Sequence, residues 1–256
     1  MARLRLYGRL LRLFAVLGEG ALYAAWVGLR ERCGGAPLAL RQRLTWRFMR
    51  HLQAALPFSV EVRGRLPDTP VLWLANHVSW VDIAVLGALR PLSFLAKAEV
   101  GEWPLAGWLA RQAGTLFIRR GAGEALDLGR QLAGHLQQGH HLAIFPEGTS
   151  SDGSAVLRFH PRLLAAALDS GASVQPVALR YRRAGTRDQL APFVGDDELP
   201  AHLLRLLAAE RAVVEIDLLE PIAVAGLTRS ELARRAHAAI ATVVCPVEKQ
   251  GEREAA

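Results

Sequence analysis

The sequence predicts an α/β fold: a largely parallel sheet flanked by helices, preceded by an N-terminal membrane-associated helical segment. Three observations carry this. From about Ser59 onward, short apolar runs alternate with helical stretches. Polar or charged residues directly follow four of those runs. The first fifty residues differ from the rest in charge and in periodicity. The 256 residues are 51% hydrophobic and 21% charged, enough apolar material for one sizeable core and too much for a disordered chain. Cys33 and Cys245 lie too far apart in sequence for a disulfide scaffold or a zinc-ligand pattern.

Residues 1–50 hold ten arginines and two glutamates, a net charge of +8, whereas the remaining 206 residues net −1. A nucleic-acid binder would spread its basic residues over the folded domain, so no nucleic acid is expected as a partner. Anionic lipid headgroups suit this front end better. Tyr7, Leu10, Leu11, Phe14 and Leu17 share one helical face, with Arg5, Arg9 and Arg12 on another. From Leu13 to Leu29 the chain is apolar apart from Glu19, 17 residues in all. That is short of the roughly 20 needed to span a bilayer. Glu19 and the lack of a small-x-small site also argue against a cleaved signal peptide. The segment reads as a monotopic anchor whose arginines reach lipid phosphates, with an amphipathic helix packed on the body as the competing reading. The expected organisation is an anchor over 1–50 and one domain over 51–250.

In the body, Val71–Ala75, Leu92–Ala96, Gly114–Ile118, Leu142–Phe145 and Val174–Leu179 read as buried strands. Ala212–Leu218 alternates, as an edge or half-exposed strand would. Helices are expected over Asp82–Leu89, over Glu124–Gln138 with Gly139 as its stop, and over Phe159–Asp169 before Gly171. A last helix opens at Thr228, where Thr228-x-x-Glu231 forms a capping box, and runs to Val244.

In open α/β sheets, ligands bind beyond the carboxyl ends of the strands. Here those ends are followed by Asn76-His77, by Lys97, by Arg119-Arg120 and by Pro146-Glu147-Gly148-Thr149. The first of these loops continues to Asp82. A carboxylate on one imidazole nitrogen fixes the tautomer and leaves the other nitrogen as a base. Asp82 also has a purely structural reading, because Ser79-x-x-Asp82 is a capping pair. No Gly-x-Ser-x-Gly elbow is present, which disfavours an esterase with its own nucleophile. A His/Asp pair without a serine suits a substrate that brings the hydroxyl. No His-Glu-x-x-His, Walker loop or dinucleotide fingerprint occurs. Lys97, Arg119 and Arg120 are candidates for anionic groups. Glu147, Gly148, Thr149 and Ser150 offer a tight turn with a carboxylate and hydroxyls.

Four blocks in order resemble the glycerolipid acyltransferase family, of the 1-acylglycerol-3-phosphate acyltransferase kind, over roughly residues 57–220. They are Asn76-His77-x4-Asp82, then Lys97-x-Glu99-x4-Pro104-x2-Gly107-x6-Gly114-x2-Phe117-Ile118-x-Arg120, then Phe145-Pro146-Glu147-Gly148-Thr149-Ser150, and Val174-Gln175-Pro176-Val177. The resemblance implies transfer of a fatty acyl group from acyl-CoA or acyl carrier protein to the free hydroxyl of a lysolipid, as in phospholipid biosynthesis. His77 would be the base and Asp82 its partner. Lys97, Arg119 and Arg120 would bind anionic groups, and Glu147, Gly148, Thr149 and Ser150 the acceptor backbone. No metal or resident cofactor is implied. The first acceptor implied is 1-acyl-sn-glycerol-3-phosphate, giving phosphatidic acid. Ser150, however, stands where the family usually has arginine, and a lyso-ornithine lipid is the competing acceptor. The implied location is a bacterial-type inner (cytoplasmic) membrane, monotopic or single-pass, with the active site facing the cytoplasm. A non-catalytic membrane-binding protein would explain the anchor but not four polar loops at one end of a sheet.

Overall fold

The structure is a computed structural model that describes residues 2–35, 37–103, 106–118 and 124–245. Two helices lead the chain, α1 (Ala2–Arg32) and α2 (Leu38–Ala55). The body follows as β1 (Phe58–Arg63), β2 (Leu72–Ala75), α3 (Val81–Leu89), β3 (Ser93–Lys97), α4 (Ala98–Gly101), α5 (Ala106–Gln112) and β4 (Leu116–Ile118). Next come α6 (Glu124–Gln137), β5 (Leu142–Ile144), a 3-10 turn at Pro161–Leu164, α7 (Ala165–Ser170) and β6 (Val174–Arg183). The chain then makes β7 (Thr186–Arg187), α8 (Leu199–Ala208), β8 (Ala212–Leu218) and α9 (Arg229–Val244).

The strands form one sheet in the order β1-β8-β6-β2-β5-β3-β4, with β7 pairing to β6 outside that path. β6, β2, β5, β3 and β4 are parallel. β8 runs antiparallel to β6, and β1 parallel to β8. β2 lies in the middle and is buried on both faces, which is why it reads as an unbroken apolar run. Its Leu72 and Leu74 join the core under α6, α7 and α9, while Trp73 and Ala75 join the core under α3 and α8.

Several sequence expectations change in detail. β8 is an interior strand. Its alternation arises because Val214, Ile216 and Leu218 face the core while Glu215 and Asp217 pair with Arg180 and Arg63 on the other face. The helix expected from Phe159 begins only at Ala165, because Pro161 opens a 3-10 turn first. β6 runs four residues past its expected end at Leu179. Of the capping box expected at α9, the Thr228 half forms, with Oγ1 accepting from Glu231 N at 3.2 Å, while the Glu231 carboxylate pairs with Arg235. Gly107 in the second block is required by packing, since a Cβ there would lie 2.2 Å from the Gly101 carbonyl oxygen.

The front end divides differently from its sequence pattern. α2 runs past residue 50 to Ala55, and both leading helices contribute to the core of the body. On α1, Leu13, Val16, Ala24 and Val27 are buried, and Leu10 and Leu17 pack against the same core. Tyr7, Leu11 and Phe14 instead stay exposed. The face read from sequence is therefore two faces, one for the body and one facing away from it. The arginines divide as well. Arg9 donates to the Leu207 and Ala209 carbonyls at 2.8 and 2.6 Å, closing the end of α8, and Arg5 pairs with Glu210 at 3.4 Å.

Candidate active site

Asn76 directly follows β2 and fastens the site to the sheet. Its amide donates to the Leu179 carbonyl at 3.0 Å and accepts from Leu179 N at 2.7 Å. The next residue, His77, is held through its own backbone. His77 N donates to Glu147 Oε1 at 2.9 Å, and the His77 carbonyl accepts from Ser151 N at 2.8 Å. Phe145, the residue after β5, stacks on the imidazole with ring centroids 4.0 Å apart.

The imidazole Nδ1 meets Asp82 Oδ2 at 2.8 Å. The same oxygen accepts from Val78 N at 2.7 Å and Ser79 N at 2.9 Å, amides at the entry to α3. Asp82 is therefore the histidine's partner and a helix-entry acceptor at once, because the loop folds back over the first turn. Ser79 does not act as the cap expected of it; its Oγ is buried and has no partner among the described residues. Asp82 is fully buried, while the His77 side chain keeps 20% exposure. His77 lines a cavity, and its Nε2 bonds none of the described residues. With Nδ1 donating to the carboxylate, the imidazole's free lone pair is on Nε2.

The cavity measures about 2400 Å³, well above the roughly 300–1,000 Å³ of a pocket for one small molecule. Leu17 and Val27 of α1 and Phe48 and Leu52 of α2 give it an apolar wall, and Lys97, Thr149 and Arg162 a polar one. Such a space accommodates long apolar chains beside polar groups.

The other residues predicted from sequence fall into four groups. Lys97 and Thr149 are exposed at the cavity. Gly148 lies in the turn with φ 72°, a conformation suited to glycine, and a Cβ there would approach the His160 ring at 3.3 Å. Arg119 and Arg120 lie outside the described residues. Glu147 is engaged: besides the His77 amide it accepts from Leu157 N at 3.1 Å. Burial pushes its carboxyl up to about 7, against the opposing effect of those two amides. Ser150 Oγ donates to the Phe193 carbonyl, and Phe193 N in turn donates to the Val78 carbonyl at 2.9 Å. Position 150 thus ties the loop after β5 to the segment before α8.

Two contributors escape a reading by motif. Ser151 grips the His77 carbonyl but sits one residue beyond the third block. Tyr181 sends its hydroxyl to Asp82 Oδ1 from β6. In the sequence it stands between Arg180 and Arg182, beyond the apolar run that ends at Leu179, and nothing there marks it.

A family model described as Acyltransferase matches residues 58–180. A lyso-ornithine lipid O-acyltransferase of Pseudomonas aeruginosa is 57% identical over 94% of this chain and 93% of its own length. The chain belongs to the acyltransferase family. A 1-acyl-sn-glycerol-3-phosphate acyltransferase of Neisseria meningitidis is also similar to this acyltransferase, 36% identical over 77% of this chain and 78% of the relative. The fold is shared with the crystal structure of the 1-acyl-sn-glycerophosphate (LPA) acyltransferase from Thermotoga maritima. That match has a TM-score of 0.65 at 22% identity and covers 92% of this acyltransferase and 96% of the other chain.

Proposed function

We propose that this acyltransferase moves a fatty acyl group from the thioester of acyl-CoA or acyl carrier protein to the free hydroxyl of a lysolipid, with His77 as general base. The observation that carries this is the His77–Asp82 bond of 2.8 Å at a cavity that His77 lines, with Nε2 bonded to none of the described residues. Nε2 takes the acceptor's hydroxyl proton as that oxygen attacks the thioester carbonyl. Collapse of the tetrahedral species expels the thiolate, which takes the proton back from the imidazolium. The thioester is a co-substrate, and the scheme uses no resident cofactor. A transfer assay with labelled donor against a panel of lysolipids tests it. Acyl transfer to a lysolipid is the expected result; a trapped acyl-enzyme would mean an esterase-type mechanism, and no transfer a binding protein.

The acceptor best supported is a lyso-ornithine lipid. The 57% identical relative carries that name, and Ser150 presents a hydroxyl bonded to Phe193 where an arginine would bring a cation. Lysophosphatidate is the second reading, favoured by the Neisseria relative and by exposed Lys97 at the cavity. Wild type is expected to prefer lyso-ornithine lipid. Ser150→Arg should lower that activity about tenfold, the worth of one lost hydrogen bond plus the bulk of the new side chain, and should raise use of lysophosphatidate. Assaying both proteins on both acceptors decides, and a wild-type preference for lysophosphatidate selects the second reading.

The same reading places the enzyme at a bacterial-type inner membrane with the site facing the cytoplasm. α1 is long and apolar enough to cross a bilayer by length and composition. Its packed inner face supports instead a helix lying in the interface. Leu4, Tyr7, Leu11, Phe14, Leu22, Trp26 and Leu29 are exposed at spacings that keep them on its outer side. Leu11 and Leu22 are 74% and 72% exposed, so Leu11→Glu with Leu22→Glu should leave the fold intact. The double variant is expected to shift from the membrane pellet to the supernatant. High salt alone should not release wild type, because salt screens the arginines but leaves apolar insertion. A variant that still sediments with membranes would move the lipid contact elsewhere on the body.

A further inference from the structure

β6 outruns β2. Val177 is the last residue of β6 paired to it, opposite Ala75, and the strand continues to Arg183 alongside the loop that carries His77. Tyr181 lies on this projecting part. It is 4% exposed, and its hydroxyl donates to Asp82 Oδ1 at 2.5 Å. Asp82 Oδ2 meanwhile holds His77 Nδ1 and two loop amides. Among the described residues this buried carboxylate has four donors, and the phenol is the one on the oxygen that does not face the histidine.

The rest of the Tyr181 environment asks for a ring, not a hydroxyl. Phe58 meets it edge-on with centroids 5.6 Å apart, and both belong to the apolar core. A phenylalanine would serve that packing equally well. Among the described residues the hydroxyl has one partner, and that partner is the carboxylate that orients the base. Burial and the Asp82 charge hold the phenol's proton well above its ordinary range, so it stays a donor throughout the working pH.

We infer that Tyr181 is a positioning residue that sets the basicity of His77 through Asp82. A phenol donating to the carboxylate draws off part of its negative charge, so the carboxylate stabilises imidazolium less and His77 stays neutral to lower pH. The phenol also fixes the carboxylate plane, which aims the imidazole at the cavity. The inference rests on the reading of His77 as the base. The other ionisable groups facing this cluster are Glu147, through the His77 amide, and Asp188, which is paired with Arg183 at 2.8 Å. Tyr181→Phe removes none of their hydrogen bonds, so a change in the pH profile reports on the Tyr181–Asp82 bond.

The experiment is kcat/KM against pH for the full-length enzyme as wild type, Tyr181→Phe and His77→Ala. Removing the phenol is expected to raise the midpoint of the acid limb by roughly one pH unit, the scale of one hydrogen bond to a charge, with KM for both substrates unchanged. Installing 3-fluorotyrosine at position 181, a more acidic and stronger donor, should move the limb the opposite way. That second variant decides the matter alone should Tyr181→Phe fail to fold. A folded Tyr181→Phe with an unmoved limb and only a lower Tm would overturn the inference, as would shifts of the same sign from both replacements. An active His77→Ala enzyme would overturn the base reading beneath it. An inactive one beside an unmoved Tyr181→Phe limb would overturn Tyr181 alone.

Discussion

Replacing His77 with alanine is expected to slow turnover by ~10²–10⁴, the usual share of a positioned general base. The imidazole is fixed on three sides: Asp82 at 2.8 Å, Phe145 stacked at 4.0 Å between centroids, and a backbone bonded at both its N–H and its carbonyl. Those backbone bonds survive the substitution, so the loop should keep its course and the protein its fold. The stacked phenyl loses one neighbour, which opens a small space beside the existing cavity instead of an enclosed void. The diagnostic measurement is kcat with saturating donor and acceptor, together with a thermal melt. A folded His77→Ala protein with near-normal kcat would remove the histidine from the chemistry and leave the cavity as a binding site only.

Asp82→Asn should be nearly as severe, for a reason that the geometry refines. In a triad, an asparagine can reverse the histidine tautomer. Here Val78 N and Ser79 N both donate to Oδ2, at 2.7 and 2.9 Å. An amide nitrogen placed at that corner would face two N–H groups, so the asparagine oxygen is expected to take it and still accept from His77 Nδ1. The NH2 group then turns to the Tyr181 hydroxyl, which can rotate to accept. The tautomer survives and the charge does not. A unit charge about 4 Å from an imidazolium is worth about 4 kcal/mol at an effective dielectric of 20, or roughly 10³-fold in rate. Nitrogen-15 shifts of His77 would report an unchanged neutral tautomer alongside the lost turnover. Reversed shifts would return the explanation to the tautomer. Normal turnover with only a lower melting temperature would leave Asp82 a helix-entry residue and nothing more.

Much of this site is legible along the chain because it is built at the ends of strands. β2 and β5 are short apolar runs, and the residue types that interrupt them, Asn76-His77 and Pro146-Glu147-Gly148, are the ones the structure brings together. Hydrophobic burial dictates such runs locally, so their limits show in the sequence. The front end was legible by half. Its helix and its basic charge are properties of composition, but which apolar residues face the body depends on where α8 and the sheet lie. Leu10 and Leu17 turned inward while Tyr7, Leu11 and Phe14 stayed out, and Arg9 found the carbonyls at the end of α8.

The sequence by itself determined the strand–helix alternation, the placing of His77, Lys97 and Glu147 at one end of the sheet, and the departure at Ser150. Each is written in residues close together or in a run repeated along the chain. Only the tertiary structure decided what those groups bond to. Glu147 holds the His77 and Leu157 amides with both oxygens, Ser150 reaches 43 residues on to Phe193, and Tyr181 reaches 99 residues back to Asp82. A buried polar group must find a partner wherever the fold brings one, and strand order sets that encounter. β6 lies beside β2 although a hundred residues separate them, so no local pattern could announce the phenol at the carboxylate.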